Sequence, residues 1–200
     1  MSCNDMNENI KKLKQILDSS QSNKIHVENI LSCSTLKDAH IYCKVNSLSG
    51  QLSGPALERY IKTVCKMSKN NASSCNGDLN NGNKNFEIKT SNGGKEHNKF
   101  NFVQLRISHD CDYILSAYYL NYKNLQQGGE LFLFRLNKEE IKPIIIKYGT
   151  YAHGTLGKFK KITLEDLNKV DNTKEYALRP KYGDLCWKEL LLYRVNEIIV

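Results

Sequence analysis

No stretch of these 200 residues approaches the roughly 18 uninterrupted apolar residues that a membrane-spanning helix needs. The N-terminal MSCNDMNENIKK has no apolar signal core behind its charges, and the expected location is cytoplasmic. Cys-x-x-Cys pairs are missing. The seven cysteines, Cys3, Cys33, Cys43, Cys65, Cys75, Cys111 and Cys186, are odd in number, so reduced thiols are expected rather than a disulfide framework. A zinc set drawn from Cys75, His97, His109 and Cys111 matches no standard finger spacing. Internal repeats and heptad arrays are also lacking, which argues against a solenoid or a coiled coil. Acidic residues are in deficit, 21 against 29 lysines and arginines, giving a formal charge of +8 and a pI near 9.0. That balance favours a polyanionic partner such as nucleic acid.

What is present reads as one domain over residues 1–200, with enough chain to bury a sizeable core. Asn7 to Asp18 carries Ile10, Leu13, Ile16 and Leu17 at helical spacing, and a second short helix is expected within Val27 to Ile41. Ser53-Gly54-Pro55 predicts a helix start, with Ser53 as cap and Pro55 in the first turn, leading into Ala56 to Met67. Leu57, Ile61, Val64 and Cys65 form its apolar stripe, with Glu58 one position off it. Strands are expected at Phe86 to Thr90, Phe100 to Ile107, Asp112 to Tyr122 and Glu130 to Leu136, the last two joined by a turn at Gln127-Gly128-Gly129. Lys138 to Tyr148 has a helical pattern that Pro143 should start, kink or end. A Gly-rich basic loop, Thr150 to Lys161, precedes a short helix opened by Thr163 and Asp166. Lys188 to Val200 closes the chain as a helix or strand. The fold class is therefore α/β (α+β), a central mixed sheet flanked by helices.

The chemistry concentrates in DLNNGNKNFEIK, Asp78 to Lys89. Side chains alternate along a strand, so Glu87 and Lys89 share one side while Phe86 and Ile88 face the core. Asn80-Asn81-Gly82-Asn83 supplies the turn that folds Asp78 back beside Glu87. Two carboxylates with an adjacent lysine suit metal-dependent phosphodiester hydrolysis, which holds Mg²⁺ against the phosphate, poises a water and stabilises charge on the leaving oxygen. Mn²⁺ is the expected substitute. Asp78, Glu87 and the Ile88 carbonyl are expected metal ligands, and Glu58, brought in from the preceding helix, is a further one, either directly or through a metal-bound water. Lys89 would orient the water or steady the phosphate. Gln104 would reach the same face if its strand pairs with Phe86 to Thr90.

The order of these parts resembles the PD-(D/E)XK nuclease superfamily, and more narrowly the type II restriction endonucleases. Gly54-Pro55-Ala56-Leu57-Glu58 looks like the family's acid-bearing helix. Asn76-Gly77-Asp78 stands where the family has its Pro-Asp, and Glu87-Ile88-Lys89 matches the second half of the motif. The resemblance covers about residues 53–136 and implies a restriction-endonuclease-like core with N-terminal helical and C-terminal DNA-contacting elaborations.

On that reading Lys95, His97 and Lys99 after the catalytic strand, with Arg106 and His109 after the next, border the phosphate cleft. Tyr151, His153, Thr155, Lys158, Lys160 and Lys161 form a second basic segment able to follow a DNA backbone. The expected activity is Mg²⁺-dependent cleavage of double-stranded DNA at a short specific sequence by a homodimer. A structure-specific or nicking nuclease, of the junction-resolvase or mismatch-repair type, uses the same site. A non-catalytic basic nucleic-acid-binding module is the third reading.

Overall fold

The computed structural model describes residues 22–71, 75–93, 98–152, 161–169 and 174–198. The helix expected over Asn7 to Asp18 lies outside them. Three helices come first: α1 over residues 22–31, α2 (Leu36–Val45) and α3 (Gly50–Val64). Where one helix was expected within Val27 to Ile41 there are two, because Thr35 caps α2 by accepting a hydrogen bond from the Asp38 N–H. α3 also begins a turn earlier than the Ser53-Gly54-Pro55 signal suggested. Its N-cap is Ser49, whose carbonyl accepts from the Ser53 N–H at 2.8 Å, so Pro55 lies inside the helix. Burial of Ala56, Leu57, Tyr60 and Ile61 outweighs the hydrogen bond that the proline forgoes. Val64, placed on the buried stripe by spacing, is instead 61% exposed at the helix end.

The strands are β1 (Ser68–Lys69), β2 (Leu79–Asn80), β3 (Asn85–Asn92), β4 (Phe102–Leu105), β5 (Asp112–Tyr119), β6 (Glu130–Leu136), β7 (Thr150–Tyr151), β8 (Tyr176–Leu178) and β9 (Arg194–Val195). Six of them form a sheet in the order β1-β2-β3-β5-β6-β9, antiparallel throughout except for the parallel β3/β5 pair. The mixed sheet flanked by helices is thus present. The other three form a smaller antiparallel sheet, β4-β8-β7. Gln104's strand therefore does not pair with Phe86 to Thr90 as expected; β4 pairs with β8.

The parallel pair explains the composition of β5. Tyr113, Leu115, Ala117 and Tyr119 join the main core with Phe100, Phe102, Leu105, Tyr176, Leu178, Trp187 and the isoleucines of α4 (Lys138–Tyr148). On the other face Ile114 packs with Phe86, Ile88 and Ile61 under α3. A strand covered on both faces reads as a continuous apolar run, and the row of aromatics in DYILSAYY is that run. α4 passes through Pro143 without ending, held by the Asn137/Glu140 capping box and by buried Ile141, Ile144 and Ile145. α5 (Leu164–Asn168) opens with the expected Thr163/Asp166 box. The apolar C-terminal stretch divides among α6 (Leu185–Leu190), a 3₁₀ turn (Leu191–Tyr193) and β9.

One fully buried polar group pins α2 to the sheet. His40 Nδ1 lies 2.6 Å from Asn92 Oδ1 and its Nε2 lies 2.8 Å from Ser116 Oγ. The amide oxygen only accepts, so Nδ1 carries the proton and the serine hydroxyl donates to Nε2. Burial holds the imidazole down to about 4, against the Asn92 hydrogen bond. The folded state therefore refuses a proton that the unfolded chain takes up below about pH 6.5. The stability tied to neutral His40 is full above that pH and is lost as pH falls toward 4, with an upper bound of about 3 kcal/mol. Urea midpoints should show wild type ahead of His40→Gln at pH 7, with the gap closing by pH 4.5. A gap independent of pH would show that His40 titrates normally.

Candidate active site

The turn between β2 and β3 is built from local asparagine chemistry. Asn81 Oδ1 accepts from the N–H groups of Asn83 (3.0 Å) and Lys84 (2.8 Å), and Gly82 takes φ +90°. The hairpin pairs Leu79 with Phe86. Just before it, Gly77 adopts φ +71°, and a Cβ there would fall 2.8 Å from the Phe86 carbonyl oxygen. Only glycine lets the chain pass so close to β3. Asp78 then donates its N–H to that same oxygen at 2.8 Å.

β2 covers the edge of β3 only as far as Phe86, and the Asp78 side chain takes over where the strand stops. Its Oδ2 accepts from the Ile88 N–H at 3.2 Å and meets Lys89 Nζ at 3.2 Å. Along a strand the N–H and C=O of one residue face the same edge, so the Ile88 carbonyl faces the Asp78 side as well. Lys89 Nζ also contacts Glu87 Oε1, at 2.7 Å. The hairpin thus brings Asp78, Glu87 and Lys89 into one cluster.

Glu87 and Lys89 are not the solvent-facing pair of a half-buried strand. The Glu87 side chain is 0% exposed and that of Lys89 is 17% exposed. Neither Glu87 oxygen accepts a well-aligned hydrogen bond. Burial pushes the Glu87 carboxyl up, more than Lys89 pulls it down. The two carboxylates hold the Lys89 ammonium above its ordinary range in spite of its own burial. Glu58, half-buried on α3, is pushed up by burial and then by the charge of Asp78, while Lys89 pulls it down, so it belongs to the same electrostatic neighbourhood.

His109 was expected at the border of a phosphate cleft, and it sits inside the cluster instead. It is buried, its Nδ1 accepts from the Gly77 N–H at 3.3 Å, and that atom lies 3.9 Å from Glu87 Oε2. Burial and then the charge of Arg106 hold it below its ordinary range, as a neutral ring with Nδ1 accepting requires. Nothing local in the sequence could place it there. It follows β4 and precedes β5, and only the parallel pairing of Glu87 with Tyr113 brings that turn beside β3.

The remaining expected positions divide. Gln104 is exposed, with φ +59°, where the register of β4 against β8 shifts, and it does not join the cluster through β3 as expected. Arg106 is paired with Glu175 at 2.9 Å. Lys99 forms a bridge with Lys181, Tyr151 packs against Tyr176 at 5.4 Å between ring centroids, and Lys161 is exposed. Lys95, His97, His153, Thr155, Lys158 and Lys160 lie outside the described residues. So does His97 of the zinc set, and burial pushes the Cys111 thiol of that set up to about 12.

Among the described residues no group of three or more His, Cys, Asp or Glu side chains is gathered closely enough to hold a metal. The donors nonetheless fit a hard divalent cation. Such an ion takes one or two carboxylates and keeps its other positions for water. Glu87 offers buried oxygens without well-aligned donors, and Asp78, whose side chain is 24% exposed, opens the cluster to solvent.

Comparisons with protein-family models, with curated proteins and with solved structures found no match for this chain. Among the described residues no helix is long and apolar enough to cross a membrane.

The close approach at Gly77 has a measurable cost. Gly77→Ala should lower stability by about 2 kcal/mol or more, from the left-handed φ together with the contact against Phe86. Gly82→Ala is the control, because it shares a positive φ but would meet nothing within 4 Å. Equal losses in thermal melts would mean that β3 does not constrain Gly77.

Proposed function

We propose that this protein is a Mg²⁺-dependent endodeoxyribonuclease that hydrolyses phosphodiester bonds of duplex DNA, of the type II restriction kind. The observation that carries the proposal is the buried Glu87 carboxylate, which shares Lys89 with Asp78 in the mouth of a hairpin. A buried charge in imperfect compensation lowers stability, and such groups are concentrated at functional sites. The formal charge of +8 supports a polyanionic substrate.

In this mechanism Asp78, Glu87 and the Ile88 carbonyl hold the cation. When bound, Mg²⁺ supplies a Lewis acid at the scissile phosphate and lowers the pKa of attacking water. Lys89, whose ammonium the two carboxylates hold above its ordinary range in the metal-free protein, would place positive charge where the phosphorane gathers negative charge. Glu58, with its carboxyl raised by burial, is a further acid placed to act on the cation directly or through a water. Neutral His109 fixes the Gly77 backbone and so the approach of Asp78 to β3. Sequence-specific cutting by a homodimer is the finer form of the proposal.

Plasmid DNA with Mg²⁺ should yield discrete fragments. Glu87→Gln and Asp78→Asn should each reduce cutting by about 100-fold or more, with far-UV circular dichroism unchanged. Nicks without fragments, or a preference for branched substrates, would redirect the proposal to a structure-specific nuclease. Cutting that survives both substitutions would remove the centre altogether.

A further inference from the structure

Lys89 occupies the place between the two carboxylates. Its Nζ lies 2.7 Å from Glu87 Oε1 and 3.2 Å from Asp78 Oδ2, separations close to those of ordinary ion-pair contact. Glu87 is wholly buried and aimed into the cluster, and neither of its oxygens accepts a well-aligned hydrogen bond. Nearby cations are engaged elsewhere, Arg106 by Glu175 and Lys84 by Asp112. Among the described residues Lys89 is therefore the cation in ion-pair contact with both acids. A second cation brought to the same oxygens would be repelled by it, and the repulsion is strong where burial weakens solvent screening.

We infer that Lys89 is an internal counter-ion that competes with the divalent cation for Asp78 and Glu87, so that metal entry displaces the ammonium from between them. The inference rests on the proposal that this cluster is a metal centre. It makes the free and loaded forms alternatives. Without metal, Lys89 compensates the carboxylates and supports the fold; with metal, its ammonium is released to face the phosphate. A lysine that stood near the metal without sharing its ligands would, when removed, tighten binding only slightly, through the lost repulsion. One that helped to hold it through water would weaken binding when removed. Competition predicts the opposite sign.

The test is calorimetric titration of the full chain with Mn²⁺, without DNA, for wild type, Lys89→Met, Lys89→Gln and Glu87→Gln. Both lysine variants should bind Mn²⁺ about tenfold more tightly or better, and Glu87→Gln should lose the site. Added Mn²⁺ should also raise the melting temperature of the lysine variants more than that of wild type, because they lack the internal cation when the metal is absent. That second readout serves if Lys89→Met folds only with metal, an outcome that itself agrees with competition. Equal or weaker affinity in both lysine variants, with wild-type binding intact, would overturn the inference and leave the nuclease proposal standing. Absence of Mn²⁺ binding from wild type and both lysine variants would overturn the proposal itself.

Discussion

A carboxylate with no exposure to water sits at the third position of β3, the strand that pairs with β2 on one edge and in parallel with β5 on the other, and the surroundings of Glu87 are organised by that fact. An ionised carboxyl so placed costs several kcal/mol unless charge and hydrogen bonds replace the lost hydration. Lys89 supplies the charge, but aligned hydrogen bonds are lacking. Asp78 adds a second negative charge rather than relieving the first, and Arg106 offsets it only as the smallest of the influences on the Glu87 carboxyl. Packing alone would select an apolar side chain at position 87. In the proposed reading, that cost is accepted because local stability is subordinate to chemistry at this position.

The same two strands carry a second buried polar cluster, and the contrast is instructive. Toward the C-terminal ends of β3 and β5, His40 bridges Asn92 and Ser116 with both ring nitrogens engaged and no net charge. That cluster is complete, closed and neutral, as a structural one should be. Near their N-terminal ends the acids outnumber the one lysine, Asp78 is partly open to solvent and the neighbouring imidazole is neutral. The topology permits this difference. Because the chain leaves β3 for the second sheet before returning as β5, the turn bearing Arg106 and His109 is delivered to one end of the parallel pair, while α2 covers the other.

How much of this was legible in the sequence follows the range of the forces involved. The Asn80 to Asn83 turn, the alternation of Phe86, Glu87, Ile88 and Lys89, the span of β6 and the Thr163/Asp166 cap are all set within a few residues, and all are found as read. The approach of Asp78 to Glu87 was legible for the same reason. What stayed hidden is set across the sheet. No local signal distinguishes a β4 that pairs with β3 from one that turns to β8, and Gln104's place depended on that choice. The burial of Glu87 depends on what covers β3, and the inward turn of His109 depends on a parallel pairing formed across the excursion through β4. Pro55 is expected in a first turn and Pro143 to start, kink or end its element, yet both lie within helices that apolar burial carries through.

Charge distribution gives the last constraint on what this cluster can do. The chain as a whole is positive, yet the cluster sets the two carboxylates of Asp78 and Glu87 against the one ammonium of Lys89, with the adjacent histidine neutral. A phosphate drawn in by the overall field would meet net negative charge at the point where it would react. Lys89 cannot reverse that, since it is already committed to two of the acids. In the proposed reading a divalent cation resolves the conflict. It converts the acids from a barrier into a support, and it gives the phosphate a positive charge to meet. The site is therefore expected to engage metal and nucleic acid together, with the local acidity securing the first and the overall basicity bringing the second.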